Sequence, residues 1–486
     1  MELLIFLSSC IVCAPSLDSS PQFATELFIC AHFTFIGQKC ETSMIMKNLF
    51  YGMAAMAACS MMLLSCSSDE DGGTKRIVNM VSEVKPIQLT EEQRVFVDDN
   101  NGFTLNFLKT VNETDRSGRS FIYSPLSITY VLGMVNDAAT GNTEKELEET
   151  LGFHEGGIQA VNDYCKNLID NLPKADADVE LNIANAIFVN KNYTLLPQFE
   201  QDMQYYYDAK AEALDFSSPK TLGHINDWCK EKTKGMIPTI LDEVKPNMVS
   251  YLLNAIYFKA DWTKKFDPKN TKNEMFATGK GDIEMPMMSQ DVYISYVKNE
   301  TYSAVKIPYG NSLWNMMVML PEEGKTTDDI INHLAENGFS DVEDYESLYN
   351  SNPGDGVFRT YEVDLKLPRF ETVSDTKELD GGLISLLQQM GIRQAFDDQF
   401  AEIPNMCDKP VYIEMMRQKA KIKVNEEGSE ATAVTVAGMG EVTSAGPIQE
   451  VEIPKAAFHA NRPFVYVIRE MSSGVILFVG KFTGMA

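Results

Sequence analysis

The chain has 486 residues, 44% of them hydrophobic and 23% charged, with a formal net charge of −27. That is enough apolar sequence for a sizeable core in one large domain or two to three ordinary ones. The acidity argues against nucleic acid as a partner, because a phosphate backbone would be repelled. It argues equally against a heparin-like polyanion site: the lysine-dense stretches near Lys230 to Lys234 and Lys264 to Lys272 alternate with acids or aromatics. Six of the nine cysteines (Cys10, Cys13, Cys30, Cys40, Cys59, Cys66) precede residue 67. Cys165, Cys229 and Cys407 in the body are odd in number and widely spaced, so they read as buried free thiols and not as a disulfide framework or zinc cluster.

Residues 46–66 read MKNLFYGMAAMAACSMMLLSC, a lysine followed by an apolar run, the layout of a secretory signal. The run from Leu49 to Leu64 is short for a membrane-spanning helix. Its ending, Leu63-Leu64-Ser65-Cys66, resembles the lipobox of bacterial lipoproteins, which implies a lipid anchor on Cys66 and attachment to a membrane. The acidic stretch Ser67-Ser68-Asp69-Glu70-Asp71-Gly72-Gly73 resembles the export tag of surface lipoproteins in some Gram-negative bacteria. The expectation is an outer-membrane lipoprotein, surface-exposed or extracellular, with the periplasmic face as alternative. Residues 1–45 precede the natural signal start at Met46 and are expected to be an over-extended upstream translation; residues 67–90 read as a flexible acidic tether.

From about residue 91 to 486 no repeat or low-complexity break interrupts the chain, which reads as one domain. Apolar spacing predicts a helix over 91–110. Ser124-Pro125-Leu126-Ser127 opens another, with proline early and a hydroxyl cap nearby, and Thr143 and Glu146 have capping-box spacing for the next. Leu181 to Val189 and Tyr251 to Phe258 read as buried strands. Further strands are predicted at Ala304 to Ile307, Asn315 to Leu320, Tyr361 to Leu367, Lys419 to Val424, Phe464 to Ile468 and Val475 to Val479. Helices among strands without regular alternation indicate an α+β fold.

After the strand Lys419 to Val424 comes Glu426-Glu427-Gly428-Ser429-Glu430-Ala431-Thr432-Ala433-Val434-Thr435-Val436. One parity of this stretch, Ser429, Ala431, Ala433, Thr435 and Ala437, is small and uncharged, so that face could join a packed sheet without overpacking it. Catalytic parts are missing. His154, His224, His333 and His459 are scattered, and no G-x-S-x-G, H-E-x-x-H or P-loop sequence occurs. No enzyme activity, cofactor or metal is expected.

The body resembles the serpins, the loop-inserting serine protease inhibitors. The resemblance rests on Ser124-Pro125-Leu126-Ser127 with Gly133-Met134 and Gly141-Asn142-Thr143, on Leu181 to Phe188, and on Asn226, Trp228, Thr233 and Gly235. It continues through Leu253-Asn254-Ala255-Ile256-Tyr257-Phe258-Lys259 with Trp262, Phe266 and Thr271, then Ala460-Asn461-Arg462-Pro463-Phe464 and Phe478-Val479-Gly480-Lys481. It implies a large, mainly antiparallel central sheet, two further sheets, eight to nine helices and an exposed reactive loop at about 426–457. It implies a hinge at Glu426, Gly428, Ser429, Ala431 and Ala433. A shutter beneath the sheet would comprise Ser124, Ser127, Asn254 and Gln418, the last replacing the family's histidine, and a breach at its top Trp262, Arg369 and Glu426. The implied activity is suicide inhibition: a target serine protease forms an acyl-enzyme with the loop, which then inserts and deforms it. Ser429 to Val442, at ~3.3 Å per residue, would carry the protease on the order of 45 Å. Counting sixteen from Glu426 puts the scissile bond at Val442–Thr443, with Met439 and Ala445 as alternative positions. Valine suits an elastase-like protease; a papain-like cysteine protease target, or a non-inhibitory role, is the alternative. A monomer is expected.

Overall fold

A computed structural model describes residues 84–339 except 116 and 155, 343–344, 357–429 and 453–485. Among these lie eight α-helices: α1 (Glu91–Thr114), α2 (Pro125–Ala138), α3 (Gly141–Leu151), α4 (Gly157–Asn171), α5 (Pro197–Tyr207), α6 (Thr221–Lys232), α7 (Thr327–Asn337) and α8 (Gly382–Met390). The folded body takes in residues before 91. Ile87 is buried, its N–H donating to Ser472 Oγ at 2.8 Å. Thr90 caps α1 through a reciprocal pair of bonds with Gln93.

Two expected caps are not formed. Ser124 precedes Pro125 at the start of α2, but its Oγ donates to Leu477 O at 2.7 Å and accepts no backbone N–H of the helix. Thr143 and Glu146 lie inside α3, whose cap residue is Thr140. Thr143 Oγ1 accepts from Glu402 N–H, and Glu146 accepts from the N–H groups of Arg393 and Gln394. Tertiary partners took the side chains that local spacing assigned to the helix ends.

Among the described residues the central sheet has six strands in the order β11–β12–β13–β4–β2–β3. They are β2 (Val179–Asn190), β3 (Lys210–Leu214), β4 (Ser250–Asp261), β11 (Phe370–Asp375), β12 (Lys419–Val424) and the two-residue β13 (Gly428–Ser429). Only β2–β3 is parallel among its strand pairs. The two further sheets are one continuous surface, because β6 (Gly281–Lys298) is long enough to serve both. Its first part, Gly281 to Met287, pairs with β5 (Lys272–Thr278), and Met287 to Tyr296 pair with β10 (Val357–Pro368); β10 in turn pairs with β14 (Lys455–His459). Its end pairs with β7 (Tyr302–Tyr309), and β8 (Trp314–Pro321), β15 (Phe464–Glu470), β16 (Ile476–Phe482) and β1 (Phe121–Tyr123) follow. The short β9 (Glu343–Asp344) pairs with the start of β10.

Both faces of the central sheet are covered, as the largely apolar, buried runs of β2 and β4 require. Leu252, Ile256 and Phe258 join the main core, where α2 and β16 pack behind the sheet. Tyr251, Leu253 and Ala255 face the other way, under Ile225, Trp228 and Cys229 of α6 and the segment Ile237 to Leu241.

Candidate functional site

After β12 the chain folds back on itself. Asn425 Oδ1 accepts the N–H groups of Glu427 and Gly428, and Asn425 N–H donates to Gly428 O at 3.0 Å. The turn sends Gly428 and Ser429 into the sheet as β13, between β12 and β4, with Ser429 opposite both Val424 and Ala260. Only glycine fits at 428. Its φ is +153°, and a Cβ there would lie 2.1 Å from Ala260 O. Ser429 is buried, and its Oγ shares a 2.8 Å hydrogen bond with the hydroxyl of buried Tyr309.

Around this turn the top of the sheet is tightly bonded. Trp262 N–H donates to Glu427 O, Trp262 Nε1 to Asn425 O and Phe266 N–H to Glu426 O. Trp262 stacks on Tyr309 with centroids 4.3 Å apart and planes 9° from parallel. The Glu426 carboxylate receives Arg369 Nη2 at 2.5 Å, Arg369 Nε at 3.2 Å and Thr271 Oγ1 at 2.6 Å. Burial pushes that carboxyl up, but the bonds from Arg369 and Thr271 outweigh it and hold it below its usual range. Lys265 bridges Asp261 and Glu427 at 2.8 and 2.7 Å.

Below β13, β4 and β12 share no ladder of their own among the described residues; an isolated parallel bridge joins Leu252 of β4 to Met416, three residues before β12. Beneath this gap lies a cavity of about 10 Å³ bordered by Ser127, Leu252, Asn254, Met416 and Gln418. Gln418 turns away from Asn254. Its Oε1 accepts from Ser124 N–H at 3.0 Å and its Nε2 donates to Ser124 O at 2.7 Å, while Ser127 Oγ donates to Ser124 Oγ. Asn254 instead donates to Asn185 Oδ1 at 2.7 Å, and Asn185 to Tyr207 O. Asn254 Oδ1 is buried without a hydrogen-bond partner among the described residues.

A family model described as "Serpin (serine protease inhibitor)" matches residues 98–484. The chain belongs to the serpin family. It is 31% identical over 396 residues to the leukocyte elastase inhibitor of Homo sapiens, across 79% of this chain and 98% of that protein. It is 29% identical over 397 residues to Serpin B6 of Macaca fascicularis, across 80% and 99%. Among solved structures it resembles a thermophilic serpin, tengpin, in the native state, with TM-score 0.68 and 24% identity over 82% of this chain and 96% of that one. Thyroxine-binding globulin in complex with thyroxine aligns with TM-score 0.66 and 24% identity, over 82% and 100%.

In this serpin, therefore, Trp262, Arg369, Glu426, Gly428 and Ser429 come together at the top of the central sheet. Ser124, Ser127 and Gln418 form one polar cluster beneath it and Asn254 belongs to another. The residues Ala431, Ala433, Met439, Val442, Thr443 and Ala445, and the expected lipid site Cys66, lie outside the described residues. Three contributors escaped the sequence reading: Asn425, which makes the turn, Tyr309, which meets Ser429, and Asn185, which holds Asn254. Asparagine ahead of a Glu-Glu-Gly segment is a turn signal. Tyr309 and Asn185 sit inside apolar strands and gave no such signal. Cys165, Cys229 and Cys407 are buried free thiols, the first two pushed up to about 12 and the third to about 11, chiefly by burial.

Proposed function

We propose that this serpin inhibits serine proteases by trapping the acyl-enzyme, with an elastase-like protease as target and Val442–Thr443 as the bond attacked. The observation that carries this reading is β13: Gly428 and Ser429 already lie between β4 and β12, at the head of a gap in which the two strands have no ladder of their own. Ser429 lies opposite Ala260, and β4 runs antiparallel to β13. Extended in that register after cleavage, Ala431 would meet Phe258, Ala433 Ile256, Thr435 Asn254 and Ala437 Leu252. Residues directly opposite share a face, so the small parity of the loop would turn into the main core, where Phe258, Ile256 and Leu252 already lie. Thr435 would arrive beside the unpaired Asn254 Oδ1. The likeness to a leukocyte elastase inhibitor and the valine at 442 support the choice of target.

The test is to mix the protein with neutrophil or pancreatic elastase and run a denaturing gel. An SDS-stable complex is expected, with the freed peptide starting at Thr443 by mass spectrometry. Quantitative loop cleavage without complex, with this and with a papain-like protease, would overturn the inhibitory reading. Within the same proposal, Cys66 carries a lipid that tethers the inhibitor to the outer membrane. Labelled palmitate should enter the wild type and not Cys66→Ser; equal labelling of both would sink the anchor.

A further inference from the structure

The sequence resemblance explains the hinge as a stretch small enough to insert, but it does not say what holds the hinge before the loop is cut. In the intact chain Ser429 is buried at 2% exposure. Its hydroxyl meets that of Tyr309, which is itself fully buried. Tyr309 cannot follow a moving hinge. Its ring is stacked on Trp262 and edge-packed against Phe258, and the Trp262 indole N–H is committed to Asn425 O on the same turn. The tyrosine hydroxyl is thus a fixed point under the top of the sheet, and residue 429 must bring a group that can bond to it. A hydroxyl on a short stem does so within the space that Gly428 leaves against Ala260 O.

We infer that the Tyr309–Ser429 hydroxyl pair is a latch that seats the base of the reactive loop in the sheet before cleavage and fixes the register of insertion. Tyr309 is a positioning residue for the inhibitory reaction. Seating Ser429 opposite Ala260 starts the added strand in the one register that turns Ala431 and Ala433 towards the core, since a slip of one residue would present Glu430 and Thr432 there instead. The consequence for inhibition rests on the proposed function above; the latch itself does not.

The chemistry gives a clean double-mutant cycle. Removing one hydroxyl leaves the other buried and unpaired, whereas removing both is nearly neutral. In Tyr309→Phe and in Ser429→Ala, amide hydrogen exchange across residues 425–432 is expected to speed up about ten- to a hundredfold relative to wild type, and in the double variant to return to within about threefold of it. The aromatic stack survives in each variant, so melting temperature serves as the control for folding. With elastase, the single variants should consume more inhibitor per protease trapped, because insertion starts from an unseated hinge, and the double variant less than either. Wild-type exchange in Tyr309→Phe, or losses that simply add in the double variant, would overturn the latch. If wild type forms no complex with any protease, the inhibitory reading falls, while the exchange cycle still decides the latch.

Discussion

Gln418 illustrates how one side chain can keep a site polar yet rewire it. Its amide spans the N–H and the C=O of Ser124, both buried, and by doing so leaves Asn254 to a different partner. Gln418→Ala would strand the Ser124 N–H, while Ser124 O keeps the Ser127 N–H at 3.1 Å; a buried orphan costs about 1–3 kcal/mol. A loss of roughly 1–3 kcal/mol in chemical denaturation is expected; a loss below about 0.5 kcal/mol would contradict the bonding described. Asp137, on α2, accepts from Asn162 Nδ2 at 2.6 Å, and Tyr207 donates to Asn162 Oδ1. Burial pushes its carboxyl up from 3.8 to about 6 despite the Asn162 bond, with Asp202 adding to the rise. Folding therefore favours the protonated acid. Stability from this group is intact below the unfolded value of 3.8 and is lost as pH rises through about 6. Asp137→Asn keeps an acceptor for Asn162 without the charge. Its melting temperature should exceed that of wild type at pH 7.5 and match it near pH 4; a gain of equal size at both would refute the titration.

At the scale of elements, the decisive feature is a two-residue strand. β13 exists because Asn425 folds the chain back, Gly428 tolerates contact with Ala260 O, and Glu426 is anchored by Arg369 and Thr271 at the pivot. Gly428→Ala puts a Cβ 2.1 Å from a backbone oxygen that belongs to the ladder, where neither atom can yield cheaply. The hinge is expected to leave the sheet, and the fraction of protease trapped to fall by about tenfold or more in favour of loop cleavage, the penalty exceeding ~1.4 kcal/mol. Titration of inhibitor against elastase measures it. Undiminished trapping would mean that β13 is dispensable.

For the whole molecule, the proposed mechanism implies a more stable arrangement, in which a further strand fills the gap between β4 and β12. A strand reaching from Ala260 down to Ser250 would make ladder bonds on both sides and bury the small parity of the loop. Several kcal/mol of such gain, at a few degrees per kcal/mol, predicts a melting temperature higher by on the order of 10 °C once the loop has been cut by a protease that escapes trapping. Calorimetry of the intact and nicked protein checks this. Equal melting temperatures would mean that the cut loop stays outside the sheet.

Much of this was written in local sequence. The strand over Lys419 to Val424, the small-residue parity after Gly428 and the buried runs of β2 and β4 follow from side-chain periodicity, which acts over a few residues and needs no partner to be read. The scattered marker residues from Ser124 to Lys481 carried the fold class. Tertiary structure decided the rest. Ser124 and Thr143 abandoned their caps for carbonyl and N–H groups hundreds of residues away, and Gln418 chose Ser124 over Asn254. Tyr309, an aromatic in an apolar strand by its pattern, became the partner of Ser429 because β7 passes under the turn after β12. A hydroxyl's partner is fixed by which strands meet in space, and no periodicity along the chain encodes that meeting.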